Sequence, residues 1–223
     1  MFRQEMLDRV LREATEETVE VFRALGPFRT KNSDIPLELD FNNLEFRNEV
    51  HINEDDEIYI GQFKVGTNVK EGRGIMLTAS KDLYEGYWVN NEKCGKGRMI
   101  FCNGDVYQGE WANSQCQGHG IFDCEEGQYK GEWVCDQREG FGTFIWADGR
   151  KYTGEWLEDK QHGKVAYIDA QGRKRVGEYI EGELVHYDDN QQASATQGDP
   201  DNPFLPRNAL EQLPERKLEH KEK

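Results

Sequence analysis

The sequence predicts an all-β repeat protein: an elongated single antiparallel sheet of stacked β-hairpins, with an amphipathic helix at its N-terminus. Three observations predict it. The first is a five-residue frame, Tyr-x-Gly-Glu-Trp or a near copy, that starts at Tyr59, Tyr84, Tyr107, Tyr129, Tyr152 and Arg175, in steps of 25, 23, 22, 23 and 23 residues. A fixed period of this size marks a repeat architecture. The second is strand periodicity. Tyr, Gly and aromatic fall at i, i+2 and i+4, on one face of a strand, and a glycine in every unit opposes helix, where it costs about 1 kcal/mol against alanine. The third is punctuation. Gly-x-Gly followed by alternating bulk, as in Gly95-Lys-Gly97-Arg-Met99-Ile-Phe101 and Gly140-Phe-Gly142-Thr-Phe144-Ile-Trp146, leads into Asn103-Gly104 and Asp148-Gly149. Those pairs are turn signals, so each unit reads as strand, turn, strand, turn.

Taken in order, residues 1–26 form the amphipathic helix. Phe2, Met6, Leu7, Val10, Leu11, Ala14, Val21, Phe22 and Leu25 recur at spacings of three and four, and Gly26-Pro27 ends the pattern. Residues 27–58 are a connecting segment in which "IPLELDFNNLEF" and "EVHI" alternate like one or two irregular strands. Residues 59–187 hold five to six repeats. A meander adds about 4.8 Å per strand, so eleven or twelve strands give a sheet on the order of 50–60 Å long. From residue 188 the chain turns polar and proline-rich and reads as an extended tail, with Phe204-Leu205 and Leu210/Leu213 as its candidate anchors.

Within the repeats the structural glycines are Gly86, Gly109, Gly131 and Gly154. Each leaves a gap in which a neighbouring ring lies over backbone, the device that covers sheet glycines elsewhere. Tyr107, Trp111, Tyr129, Trp133, Phe144, Trp146, Tyr152 and Trp156 line one face. A lone sheet cannot bury such a face, so it needs a cover: the N-terminal helix, the tail, or a partner helix laid in the groove. These eight residues are therefore the candidate partner-binding site.

Composition excludes several classes. The 223 residues carry 28 Lys+Arg against 43 Asp+Glu, a net charge of -15. Nucleic-acid binding needs the opposite balance, and a polybasic lipid contact is weakened too. The deficit is uneven: -8 over residues 1–58, -4 over 59–187 and -3 over 188–223. No stretch approaches the roughly 20 apolar residues of a membrane span, the N-terminus has no apolar core for a secretory signal, and five cysteines without a Cys-x-x-Cys pair suit a reducing compartment. Cytoplasmic residence is expected. Cys94 and Cys116, like Cys102 and Cys124, are equivalent places two strands apart, roughly 10 Å, too far for a disulfide. The five histidines have no metal-ligand spacing with cysteine, and no helix pattern follows the Gly-x-Gly elements as a nucleotide site requires. Glu110, Glu132 and Glu155 alternate with the aromatics and read as a solvated face. No metal, cofactor or catalytic site is expected.

The frame Tyr-x-Gly-Glu-Trp, with Gly-x-Gly and Asp-Gly on a 23-residue period, resembles the MORN (membrane occupation and recognition nexus) repeat over roughly residues 59–182. The units from Tyr84, Tyr107, Tyr129 and Tyr152 fit closely. The first departs, with Phe63 for Trp and a two-residue insertion; Val165 replaces the second glycine of the fifth; the sixth begins with Arg175 and is truncated. Terminal units of solenoids are commonly degenerate. The resemblance implies a non-catalytic protein-interaction scaffold or structural adaptor, in a cytoskeletal or ciliary assembly. It leaves open a membrane- or phosphoinositide-binding module, a detached regulatory subunit of an enzyme, and homodimerisation through a terminal repeat.

Overall fold

A computed structural model describes residues 4–47 and 49–188. The chain opens with helices α1 (Gln4–Arg12) and α2 (Glu16–Leu25), then short 3-10 turns at Asn32–Asp34 and Phe41–Asn43. Strands β1 (Leu44–Phe46) and β2 (His51–Ile52) precede the meander. Its strands are β3 (Ile58–Lys64), β4 (Lys70–Leu77), β5 (Leu83–Val89), β6 (Glu92–Ile100), β7 (Val106–Ala112), β8 (Gln115–Cys124) and β9 (Gly127–Val134). They continue with β10 (Gln137–Trp146), β11 (Lys151–Leu157), β12 (Lys160–Ile168), β13 (Lys174–Ile180) and β14 (Glu183–Tyr187). All fourteen join one antiparallel sheet in hairpin order from β3 to β14. Strands β1 and β2 share the free edge of β3, Leu44 pairing with Lys64 and His51 with Tyr59. The expected stack of hairpins is present, with two further strands supplied by the connecting segment.

The single N-terminal helix is corrected to two. Thr15 caps α2, its Oγ1 accepting from the Thr18 amide at 3.1 Å and donating to the Cys102 carbonyl at 2.9 Å. Thr18 Oγ1 donates to the Phe101 carbonyl at 3.3 Å. A cap side chain that bonds both its own helix and the β6–β7 turn interrupts the apolar periodicity at the point where docking requires it.

The helices lie on the face opposite the aromatic one, so of the three covers considered for the aromatic face the N-terminal helix is not the one. Met6, Val10 and Phe22 pack with Ile58, Ile60, Ile75, Leu77, Leu83 and Ile100. These alternate in sequence with Tyr59, Met76, Tyr84 and Met99, which belong to the aromatic core. The strand period of two thus gives the sheet two apolar faces at its start. Beyond α2 the chain continues across the same opposite face as a strap. Arg98 and Glu85 form a buried ion pair there, and Arg98 also donates to the Gly26 carbonyl at 2.7 Å. The Phe28 amide donates to Glu85 at 3.4 Å, Arg73 to the Phe28 carbonyl at 3.1 Å, and Thr30 bonds Tyr87 Oη at 3.1 Å.

Candidate functional site: the aromatic face

The aromatic face is built from one unit used repeatedly. Gly109 of β7 pairs directly with Gly120 of β8, as Gly86 does with Gly97 and Gly131 with Gly142. Each glycine pair is a flat floor on which the tyrosine two residues earlier lies. A Cβ added at Gly109 would stand 2.6 Å from the Gly120 Cα and 2.7 Å from Tyr107 Cζ, and one at Gly131 2.6 Å from the Gly142 Cα. Real Cβ atoms do not approach so closely, which is why the frame keeps its glycine. In the fifth unit Val165 stands opposite Gly154, and there a Cβ would meet the Lys164 carbonyl at 2.7 Å.

Each tyrosine hydroxyl donates to the carbonyl three residues on: Tyr59 to Gln62, Tyr107 to Glu110, Tyr129 to Glu132 and Tyr152 to Glu155, at 2.7–3.0 Å, and Tyr84 to Tyr87 at 3.1 Å. That carbonyl sits at a β-bulge. Pairing between β7 and β8 skips between Gly109 and Glu110, with matching skips in the β5–β6, β9–β10 and β11–β12 pairs. The first glycine of each Gly-x-Gly supplies the left-handed backbone for it, with φ of 60–63° at Gly95, Gly118, Gly140 and Gly163.

The glutamates of the frame are therefore more than a solvated face. Glu132 Oε1 accepts from the Phe141 amide at 3.0 Å, just past the Gly140 bulge, and Gln62 does the same for Arg73 at 2.8 Å. Glu110 pairs with Lys96 at 2.8 Å. The signal was in the sequence: Glu, or Gln in the first unit, precedes nearly every bulge glycine. In the second unit Tyr87 takes this place and its hydroxyl meets Thr30 of the strap.

The indoles stand perpendicular between successive tyrosines. Trp111 lies 5.2 Å from Tyr84 and 5.1 Å from Tyr107, and Trp133 5.2 Å from Tyr107 and 5.3 Å from Tyr129, all at 82–88°. Such edge-to-face pairs contribute about 0.5–1.5 kcal/mol beyond area burial. Among the described residues the Nε1 atoms of Trp88, Trp111, Trp133 and Trp156 are buried with no hydrogen-bond partner, consistent with N–H groups packed among aromatic rings.

The expected need for an outside cover is corrected by this geometry. Tyr107, Trp111, Tyr129, Trp133, Phe144, Tyr152 and Trp156 are each 7 % exposed or less. They bury one another, because a tyrosine flat on glycine leaves room for the next indole. Of the eight candidates only Trp146 stays partly open, joined by Phe101, Phe122 and Tyr179 around the buried core.

Charge borders these rings. Lys70 stacks 5.0 Å from Trp88, Lys93 5.0 Å from Trp111 and Arg138 4.5 Å from Trp156, a favourable arrangement for cations over aromatic faces. Burial lowers the pKa of Lys70 and Lys93. The row is broken at Cys116 and ends at Gln161, which oppose Trp111 and Trp156 as Lys93 opposes Trp88. Clefts open on the face toward both of its ends. One of about 440 Å³ lies at the N-terminal end among His51, Tyr59, Phe63 and Lys70. The other, about 320 Å³, lies among Arg138, Phe144, Trp146, Trp156 and Lys160.

All five cysteines are free. Burial pushes Cys94 up to about 12 and Cys124 up to about 11, and raises Cys116 as well, so at neutral pH these three are thiols rather than reactive thiolates. Among the described residues no three or more His, Cys, Asp or Glu are gathered to hold a metal ion, and no helix is long and apolar enough to cross a membrane.

No curated protein matches the chain significantly. The MORN repeat family model matches four successive stretches, residues 84–106, 107–128, 129–149 and 152–164. These are the units whose tyrosine, glycine pair, bulge and indole have just been described. MORN repeats serve in protein-binding and membrane-binding modules and are generally non-catalytic. Residues 84–164 therefore carry four consecutive MORN repeats, and the single antiparallel sheet in hairpin order around them fits an all-β MORN repeat array.

Proposed function

We propose that this protein is a non-catalytic scaffold that binds a protein segment along the rim of its aromatic face, within a cytoskeletal or ciliary assembly. The observation that carries the reading is the contrast within that face. Its tyrosines and indoles are a buried floor, while Phe101, Phe122 and Trp146 remain partly open, Trp146 with Arg150 5.1 Å over its ring and Arg138 in the same cleft. Partly open aromatics on a preorganised support, next to Lys and Arg, are the usual anchors of protein interfaces. The original eight-residue site narrows accordingly to Trp146, with Phe122 and Phe101 added. The cytoskeletal or ciliary setting rests on the resemblance alone.

The test is photo-crosslinking in native cells from position 122, followed by extraction with non-ionic detergent. The expected result is a protein adduct retained in the insoluble fraction and weakened by Trp146→Ala. Release by detergent, together with flotation on anionic liposomes at low salt, would instead establish a membrane-binding module.

A further inference from the structure

This inference rests on the reading of the aromatic face as a peptide-binding surface, and it names one occupant. The cleft among Phe144, Trp146 and Trp156 lies where the repeat runs out. Earlier units fill the equivalent space with the next indole and, at Tyr59–Trp88, Tyr84–Trp111 and Tyr129–Trp156, with a stacked cation as well. After Trp156 the cation row offers Gln161, and the following aromatic is Tyr179, 5.7 Å from Tyr152. The space left is about 320 Å³, enough for one large apolar side chain.

The charge around it is unbalanced. Arg138 is paired with Asp159 at 3.0 Å, whereas Lys160 has no carboxylate within ion-pair distance among the described residues. An apolar anchor preceded by acids fits this arrangement. The chain carries such a segment outside the described residues: Asp199-Pro200-Asp201-Asn202-Pro203-Phe204-Leu205-Pro206. Each proline fixes a φ, so less freedom is lost on docking.

Reach is well matched. Asp188 follows β14, three strands from the cleft. About 14 Å across the sheet and ~10–20 Å along it give a span of roughly 17–25 Å. Fifteen residues lie between Asp188 and Phe204, sixteen Cα-to-Cα steps, and a coil of sixteen steps would have a root-mean-square extension of about 20–24 Å. Effective concentration is greatest when the two lengths agree. We propose that Phe204 inserts into the Trp146–Trp156 cleft of its own chain, with Asp199 and Asp201 toward Lys160, so that the tail competes with any partner for that end of the face.

The test uses the full chain with p-benzoyl-phenylalanine at position 204, irradiated at low concentration and mapped by mass spectrometry. The expected product is a monomeric species linked within residues 144–161. Its yield falls about tenfold with Trp146→Ala and severalfold with Lys160→Glu, a surface change that leaves the hairpins intact. A predominantly dimeric product would assign the cleft to a second copy and overturn the proposal. So would links scattered over the sheet, or a yield that neither variant changes. Crosslinking of a partner from position 122 reports separately on the aromatic face, so failure of this inference is distinguishable from failure of the reading it rests on.

Discussion

The first two hairpins, β3 to β6, and the last three, β9 to β14, share one aromatic face but differ completely on the other. Under the first, Ile58, Ile60, Ile75, Leu77, Leu83 and Ile100 meet the helices, and Glu85 and Arg98 fasten the strap. At the places of Glu85 and Arg98 the fourth unit has Lys130 and Thr143, and the fifth has Thr153 and Ala166. The motif that defines the repeat is thus silent about the opposite face, where each unit is free to diverge. Among the described residues, that freedom caps one end of the sheet and leaves the other bare. The aromatic face serves stability throughout; the opposite face decides what covers each unit.

If the aromatic face is uniform, its largest signature is alkaline. Burial holds Tyr59, Tyr84, Tyr107 and Tyr129 above the ordinary tyrosine value and pushes Tyr152 up to about 12. A phenol that stays protonated in the fold contributes stability that is full below the unfolded pKa near 10 and is lost as pH rises above it. Each such ring costs about 1.4 kcal/mol per pH unit in that window. Five rings make the loss steep enough to unfold the sheet within about one to two pH units above 10. Absorbance at 295 nm should rise for the buried rings together with loss of near-ultraviolet ellipticity. Ionisation of one half before the other would break the uniformity.

The opposite face gives the next effect. Arg98 is 3 % exposed and Glu85 5 %, so Arg98→Ala leaves a buried carboxylate without its partner, at a cost of about 3–5 kcal/mol. Thr143→Ala at the matching place in the bare half should change stability by less than about 0.5 kcal/mol, apart from its 3.1 Å contact with Thr153. Urea unfolding of the two variants measures the difference. Equal losses would show that the strap adds nothing specific.

Much of this was legible beforehand, and the reason is local. Tyr107, Gly109 and Trp111 act within one strand and its neighbour, so period and spacing suffice to place them. Two-residue turns with both φ positive, at Asn90-Asn91, Asn113-Ser114, Cys135-Asp136 and Glu158-Asp159, escaped because only the first two pairs carry turn-forming residues at both positions. The bulges escaped because a left-handed glycine and a strand glycine look the same in sequence, as at Gly140 and Gly142. The self-burial of the aromatic face escaped for a different reason. Burial of Trp133 depends on Tyr107 lying flat on a glycine pair of two strands, a packing fact that residue type alone does not convey. The side on which the helices dock likewise follows from the parity of Ile58, Ile60, Ile75 and Leu77, which becomes informative only once the register of β3 on β4 is known.

Glycine substitutions sharpen the comparison from the shared side. Gly86→Ala in the covered half and Gly131→Ala in the bare half both drive a methyl group into the tyrosine above and the glycine Cα opposite, 2.9 and 2.6 Å away. Overpacking of this kind costs about 1–3 kcal/mol. The two losses should agree to within about 1 kcal/mol if the aromatic unit is the same in both halves. Calorimetry should show a comparable fall in midpoint. A markedly larger loss at Gly86 would mean that the strap couples through the sheet to the rings beneath it.

The smallest expected effect lies at Phe141, on the bare half of the opposite face and 46 % exposed. Its amide is held by Glu132 whatever its side chain, because the bond is to backbone. Its equivalents are Arg73, Lys96, His119 and Lys164, so the position accepts charge readily in other units. Phe141→Lys should therefore shift stability by no more than about 0.5 kcal/mol, and a drop of 2 kcal/mol or more would reveal that the ring is covered in solution. Glu132→Ala removes the acceptor rather than the ring and leaves a bulge amide to solvent, at a cost of about 1 kcal/mol. If Phe141→Lys proves the more damaging of the two, the bare half is not bare, and the division between the two ends of the sheet fails at its weakest point.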